Sequence, residues 1–547
     1  MARCHGVRSP IQPGGPLSEP VADHPDHVLI RTTAQEVMPA ASIRPSHPVP
    51  RSLSELCAHF GLDAPEGVDQ VEVTGVSISS LDVEAGDLYV GLPGARVHGA
   101  SYAANAEEAG AVAILTDAAG AELAGELGVP VLVTEEPRLA LGDVSARIYR
   151  TDPDQPKLFG VTGTNGKTSV VYILDGLLLQ LGVVTGLTTT VERRIGEERI
   201  EASLTTPEAS ELHALLARMR EVGVHAASIE VSAQAVTRHR VDGIEFDVVG
   251  FINLSHDHLD DYADFETYFG EKLKLFTPER ARRGVVSLDS EWGARVVEDS
   301  RIPVTTISSK PGVEADWNLV VTGAKGGSTS FTLTSPDDRV LHSSIPMPGW
   351  FSAANAGLAI AMLVESGYDL GEIAEVLERD GGIDAFVPGR LELVSGDKGP
   401  RLYVDYGHTP DAFEQTLGAL REMTTGRLFM VFGADGDRDR TKRPEMARVA
   451  AAGSDVVIIT DYNPRTEDPD EIRRVLVESV KANYPDRELH EIADASIGLR
   501  KAVSLAGADD TILIAGPGHE SYTEVAGSKI QYSARDEARA ALREAGW

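Results

Sequence analysis

Between Gly160 and Ser169 the chain reads GVTGTNGKTS. A glycine-rich turn of this kind can aim its backbone N–H groups at phosphate oxygens, and a helix that starts at its end adds partial positive charge. Lys167 would then reach the β- and γ-phosphates, and the Thr168 hydroxyl would serve Mg²⁺. Gly163, Thr164, Asn165, Gly166, Lys167, Thr168 and Ser169 therefore predict a site for a nucleoside triphosphate, although Val161 occupies the first glycine position of the strict G-x-x-x-x-G-K-[ST] spacing. Further along, Glu230 closes the run AASIE, and Asp257 and His258 follow the apolar run DVVGFINL. An acid and an imidazole at strand ends near a phosphate loop could hold Mg²⁺, the carboxylate being the more usual ligand.

The elements that must position these groups are legible in the hydrophobic pattern. Lys157 to Val161 reads as a strand, and Val170, Val171, Ile173, Leu174, Leu177 and Leu178 give the following helix one broad apolar face. Ala226 to Val231 and Asp247 to Leu254 read as two more strands. After a break near Gly381–Pro388, further strands read RLYVD, RLFMVF, DVVIIT and DTILIA, each running into a polar, glycine-containing turn. Continuous apolar strands alternating with helices predict parallel sheets covered on both faces. In such sheets ligands collect beyond the carboxyl ends of the strands, where the unusual residues lie. The fold class expected is α/β.

The 547 residues suit three or four domains. The expected division is a disordered N-terminal extension over 1–50, an α/β unit over 51–152, a central domain over 153–385 and a C-terminal domain over 386–547. The extension holds nine of the 30 prolines, and no apolar stretch in it suits a signal peptide. Two cysteines, Cys4 and Cys57, exclude a disulfide scaffold and any Cys-rich metal site. No apolar run approaches the roughly 18 residues of a membrane span. The expectation is a cytoplasmic protein without membrane insertion. A net charge of −34 disfavours nucleic acid as a partner, while a few local Arg and Lys residues can still hold a small anionic substrate.

In order, the chain carries GTNGKTS, IEVSAQA, NLSHDHLDDY, EKLKLF, PGWFSAAN, VPGRLE, VDYGHTPDA, VFGADGDRDRTKRP, NPRTEDP and AGPGHESY. With these motifs, over about residues 70 to 540, the chain resembles the Mur ligase family. TTPEA at 205–209, FGADGDRDRTKRP, NPRTEDP and GHE point to the branch that adds the third residue of the peptidoglycan stem peptide. The resemblance implies a three-domain architecture, with a central P-loop parallel-sheet ATPase domain and a Rossmann-like C-terminal domain. The first domain would hold a UDP-sugar, the second ATP and the third an amino acid. It implies ATP- and Mg²⁺-dependent amide formation on UDP-MurNAc-L-Ala-D-Glu through an acyl phosphate, by a monomer. The alternative is a family member joining a different acid and amine by the same chemistry.

By the same resemblance, Lys167, Glu230, His258 and Lys272 would be catalytic. Thr168, Glu230, His258 and a carbamylated Lys272 would hold the metal. By composition alone, Lys272 reads as a surface lysine on an amphipathic helix. Asn355, Arg390, Asp405 and His408 match positions near adenine, ribose and phosphates. Ser80, Thr205, Thr206, Ser232, Arg238 and Arg240 match positions facing the UDP-sugar or its peptide. Arg438, Asn463, Arg465, Gly516 and Glu520 match the amino-acid pocket. There Arg465 could grip the distal carboxylate of diaminopimelate and Glu520 could pair with its ammonium. An arginine at that place would repel lysine's ammonium, so the expected amino acid is diaminopimelate. The other partner expected for Arg465 is Glu467 or Asp468. The chain departs from the family's usual Asp-Asn-Pro-Arg with Tyr462, from Gly-Lys-Gly-His-Glu with Pro517, and from Ser-Ser-His with Gln234.

Overall fold

The structure, a computed structural model, describes residues 43–65, 67–151, 155–257 and 261–547. Residues 1–42 of the expected extension lie outside the described residues. Residues 43–50 are described, and the expectation of disorder does not hold for them. Arg44 pairs with buried Asp87 at 2.7 Å, and the backbone N–H groups of Ser46 and His47 each donate to Glu221 at 2.8 Å. Polar anchoring of this kind leaves little trace in a proline-rich composition.

The first α/β unit has strands β1 (Gly75–Ser77), β2 (Asp87–Gly91), β3 (Ala113–Thr116) and β4 (Val131–Val133), parallel and in that order. Helix α1 (Pro137–Tyr149) buries Leu141, Val144 and Ile148 against Val76, Leu88 and Val90 of this sheet.

The central sheet carries β5 (Lys157–Thr162), then helix α2 (Lys167–Gln180), β6 (Thr185–Thr188), β7 (Glu192–Ile195), β8 (Glu198–Glu201), helix α3 (Ala209–Glu221), β9 (Ala226–Glu230) and β10 (Phe246–Phe251). Helix α4 (Phe265–Leu273) follows, then β11 (Ala281–Ser287), β12 (Val304–Ser308), β13 (Trp317–Lys325), β14 (Ser328–Thr334), β15 (Val340–Ile345) and helix α5 (Trp350–Glu365). Its strand order is β8-β7-β6-β9-β5-β10-β11-β12-β13-β14-β15. The run from β6 to β13 is parallel, flanked by antiparallel strands at both ends. Alternate side chains of β5 enter different cores. Phe159 and Val161 pack with α2 and α5, and Leu158 packs with Leu212 and Leu215 of α3. Burial on both faces is why Leu158 to Val161 run without a polar residue.

The C-terminal sheet contains β16 (Glu392–Leu393), β17 (Arg401–Asp405), β18 (Leu428–Phe432), β19 (Val456–Ile459), β20 (Glu488–Glu491) and β21 (Thr511–Ala515), with helix α6 (Pro410–Met423) after β17. Its order is β16-β17-β21-β18-β19-β20, all parallel except the β16–β17 pair. Met430 and Phe432 face one core with Phe413 and Leu417, while Phe429 and Val431 face another with Leu499 and Ala538. In the central sheet, β9 and β10 flank β5, so their carboxyl ends share one crevice. The carboxyl ends of β17, β18, β19 and β21 line its other wall.

Candidate active site

The phosphate loop joins β5 to α2. Gly166 precedes the helix at φ +90°, a left-handed conformation that glycine adopts at least cost, and a Cβ there would stand 3.2 Å from the Asn355 amide atoms of α5. The loop is braced by a residue that the motif does not contain. Asn253, just past β10, accepts from the backbone N–H groups of Thr164 and Asn165 at 3.1 and 3.0 Å, and its amide donates back to Asn165 O at 3.2 Å. Lys167 Nζ donates to Thr164 O at 3.0 Å and lies 3.9 Å from Glu230. Burial lowers the Lys167 amine, and the charges of Glu230 and Asp257 work against that shift.

Glu230 ends β9 and is 3% exposed. Its Oε2 accepts from the Thr168 hydroxyl at 3.0 Å, and from the Thr190 N–H and hydroxyl at 3.0 and 3.2 Å. A buried carboxylate beside a threonine hydroxyl at the start of a phosphate-loop helix is a hard-oxygen donor set, which suits Mg²⁺. His258 lies outside the described residues. Lys272 is not at the surface, contrary to its compositional reading: it is 1% exposed. It shares the inward side of α4 with Tyr268 and Phe269, and its Nζ donates to Gly163 O at 2.8 Å and lies 4.5 Å from the Tyr268 ring centre. Burial first, and the nearby Lys167 charge second, push the Lys272 amine well below its ordinary value.

A cavity of about 580 Å³ lies over the loop. It gathers Thr164 to Ser169, Glu230, Asn355, Thr205 and Ser232 on the central side, and Arg390, Asp405, His408, Arg438, Arg465 and Glu520 on the C-terminal side. The two sides touch. Arg390 donates to the Thr168 hydroxyl at 2.9 Å and lies 4.3 Å from the Tyr406 ring centre. Asn165 donates to Asp411 at 3.0 Å, Lys442 pairs with Asp257 at 3.2 Å, and His256 pairs with Asp439 at 2.9 Å. Asp405 ends β17 and fixes the turn beyond it by accepting from the N–H groups of Leu391 and Gly407, both at 2.9 Å. His408 lies 3.8 Å from Asp257, and burial, then the Lys442 charge, lower its pKa.

Several residues expected to face the UDP-sugar are turned elsewhere. Thr206 is fully buried and donates to Glu230 O at 2.7 Å. Arg240 is buried in a pair with Glu208 at 3.0 Å. Arg238 is exposed, 4.0 Å from Asp261, and Ser80 is half-buried in a turn; neither lines the cavity. Thr205 and Ser232 do line it, Thr205 bonding Thr190 at 3.1 Å and Ser232 capping the helix Ala233–Thr237.

At the amino-acid end, Arg465 does not pair with Glu467 or Asp468. It reaches Asp435 at 3.2 Å and Glu524 at 3.5 Å, and donates to Gly436 O at 3.1 Å. Glu467 instead binds Arg443 and Arg440. Asn463 is buried and donates to Glu520 at 3.2 Å. Gly516, at φ +116°, lies against the Tyr462 ring, a Cβ there standing 3.3 Å from it. The Tyr462 hydroxyl donates to Glu520 at 2.9 Å. Asp461, the acid next to Tyr462 in sequence, is turned away to Arg473. The motifs alone did not single out Asn253, Thr190, Asp411, Asp435 and Lys442. Asn253, Thr190 and Asp435 follow strand ends, whereas Asp411 and Lys442 stand at helix starts.

Three family models match consecutive stretches of the chain: Mur ligase family, catalytic domain (72–149), Mur ligase middle domain (161–363) and Mur ligase, glutamate ligase domain (389–518). The chain belongs to the Mur ligase family, and the three-domain α/β architecture expected from the motifs is the one found. Among its relatives is the UDP-N-acetylmuramyl-tripeptide synthetase of Leifsonia xyli subsp. xyli, 62% identical over 507 residues, covering 93% of this chain and 99% of the relative. The UDP-N-acetylmuramoyl-L-alanyl-D-glutamate–2,6-diaminopimelate ligase of Streptomyces avermitilis is 40% identical, covering 92% and 98%. A solved structure of a ligase of that same description superposes with a TM-score of 0.63 at 27% identity, over 91% of this chain and all of that one. A MurF ligase from Thermotoga maritima in complex with ADP shares the fold, with a TM-score of 0.62 at 17% identity over 86% and 97%. Among the described residues, no helix is long and apolar enough to cross a membrane.

Proposed function

We propose that this chain joins a diamino acid to the D-glutamate of UDP-MurNAc-L-Ala-D-Glu, driven by ATP, in the making of peptidoglycan precursors. The observation that carries the reading is the shared cavity: the phosphate loop with Lys167 and the amino-acid pocket with Arg465 and Glu520 line one space. The similarity to tripeptide synthetases over more than nine-tenths of the chain supports it.

In this reading the loop N–H groups, the α2 N-terminus and Lys167 hold the triphosphate. Asn355, Arg390, Asp405 and His408 surround the nucleotide. The D-glutamate carboxylate attacks the γ-phosphate and expels ADP, and the amine, losing a proton, then displaces phosphate from the acyl phosphate. Two anions must meet in the first step, so fixed cations aimed at them lower the barrier. Thr168 and Glu230, with His258 and a carbamate on Lys272, would hold Mg²⁺, which supplies further positive charge between the anions. Carbamylation requires a neutral amine, and the buried Lys272 is pushed toward that form. Residues 51–152 would carry the UDP-sugar, 153–385 ATP and 386–547 the amino acid. The enzyme would act in the cytoplasm as a monomer.

Diaminopimelate is the amino acid favoured by the named activity of the 40% identical relatives. The pairing of Arg465 with Asp435 and Glu524 supports a second reading, because an arginine already neutralised gains less from a distal carboxylate. In that reading the amino acid is of the lysine type. The test is ADP release and product mass from purified protein given Mg²⁺, ATP, UDP-MurNAc-L-Ala-D-Glu and, separately, meso-diaminopimelate, LL-diaminopimelate and L-lysine. Product with a diaminopimelate isomer supports the first reading, and product with lysine alone supports the second. No product from protein that binds ATP refutes both.

A further inference from the structure

Tyr462 stands where the family pattern has an aspartate, yet the wall it occupies is rich in negative charge. Tyr462 is buried, and its hydroxyl and the Asn463 amide both donate to Oε2 of Glu520, at 2.9 and 3.2 Å. Among the described residues, Oε1 of Glu520 has no such donor. Asp435, just past β18, lines the same cavity, with Oδ1 held 3.2 Å from Arg465. Arg465 is shared with Glu524 at 3.5 Å, and Arg438 lines the cavity nearby. Burial raises the Glu520 carboxyl and the Tyr462 hydroxyl, and the Asp435 charge raises both further. Both acids line the same cavity, so a cation between them would be drawn to both.

We propose that Asp435 and Glu520 together bind the side-chain ammonium of the incoming diamino acid, with the Tyr462 hydroxyl positioning Glu520, so that Asp435 supplies the charge absent from position 462. An ammonium has three N–H donors and no acceptor, which suits two carboxylate oxygens facing one space. The inference rests on the reading that the chain joins a diamino acid. It adds Asp435 and Tyr462 to the residues that choose the substrate.

The test compares kcat/KM for the diamino acid that wild-type enzyme uses with kcat/KM for its analogue lacking the side-chain amine, 2-aminopimelate or norleucine. In Asp435→Asn the ratio should fall by about tenfold or more, the usual effect of losing a charged hydrogen-bond partner, with KM for ATP and UDP-substrate unchanged. Tyr462→Phe should lower the ratio less, by a few fold. Adding Tyr462→Asp to Asp435→Asn should restore the ratio to near the wild-type value. Equal losses for both amines, an unchanged ratio in both single variants, or no recovery in the double variant would overturn the proposal. No product from the wild type with any diamino acid would remove the reading beneath it, and the proposal with it.

Discussion

The ion pair between Lys442 and Asp257 joins the C-terminal segment to the loop beyond β10, and its removal should be felt in catalysis. The charged atoms are 3.2 Å apart, and the two side chains are 6% and 10% exposed. Coulomb's law at an effective dielectric of about 20 gives a gross attraction of about 5 kcal/mol at that distance. Desolvation of both groups offsets part of it. A net coupling of about 2 kcal/mol remains, within the range measured for close charge pairs. That is about thirtyfold in a rate constant. Lys442→Met should therefore lower kcat/KM for the amino acid about thirtyfold. The assay is a double-mutant cycle with Asp257→Asn, each variant's kcat/KM being converted to a free energy. If the pair acts as a unit, the double variant loses less than the sum of the single losses, by about 2 kcal/mol. Additivity within about 0.5 kcal/mol would show that the contact contributes nothing across this seam, and would refute the argument.

Three further outcomes follow from the same geometry. Lys167→Ala should abolish ADP release and amide formation while calorimetry still detects the UDP-substrate; equal loss of both would count against its role. Gly166→Ala places a side chain at φ +90°, facing Asn355 at 3.2 Å, and should weaken ATP binding and cost about 1–2 kcal/mol of stability, read from nucleotide titration and a denaturation midpoint. His213 is fully buried between Thr151 and the Asp242 carbonyl, and burial lowers its pKa from 6.5 to about 4. Between those values the unfolded chain binds a proton that the native protein does not. Stability should therefore fall by up to about 3 kcal/mol as pH drops from about 6.5 to about 4, with no contribution above pH 7. Urea midpoints at pH 7 and pH 5 should show the drop, and His213→Gln should reduce it; parallel pH curves would exclude His213 as the cause.

The parts of the site that depend on local chemistry were legible. A strand, a glycine turn and an amphipathic helix mark the phosphate loop because all three signals lie within a single segment, and Glu230 draws notice as an acid that ends an apolar run near that loop. Lys272 was misread by composition although its spacing held the answer: it follows Tyr268 by four residues and Phe269 by three, and both are buried. A lysine at helical spacing from two core aromatics shares their face. Thr206 and Arg240 resemble substrate contacts in type, but a threonine or arginine can equally satisfy buried backbone or a buried acid, and here they do. Asp411, Asp435 and Lys442 reach the site only because the third sheet closes over the second. That juxtaposition has no local signature, since the partners are up to 246 residues apart in the chain.

The cavity has walls from two segments that hold each other through Arg390 and Thr168, Asn165 and Asp411, and Lys442 and Asp257. A molecule that touches both walls is held from two sides while those links are made. Its residence time is then set by how often the walls separate as well as by the strength of its own contacts. A modest binder that touches both walls would dwell longer than its affinity for either suggests. Inhibition by such a compound would develop and reverse slowly, on the clock of the protein's own opening.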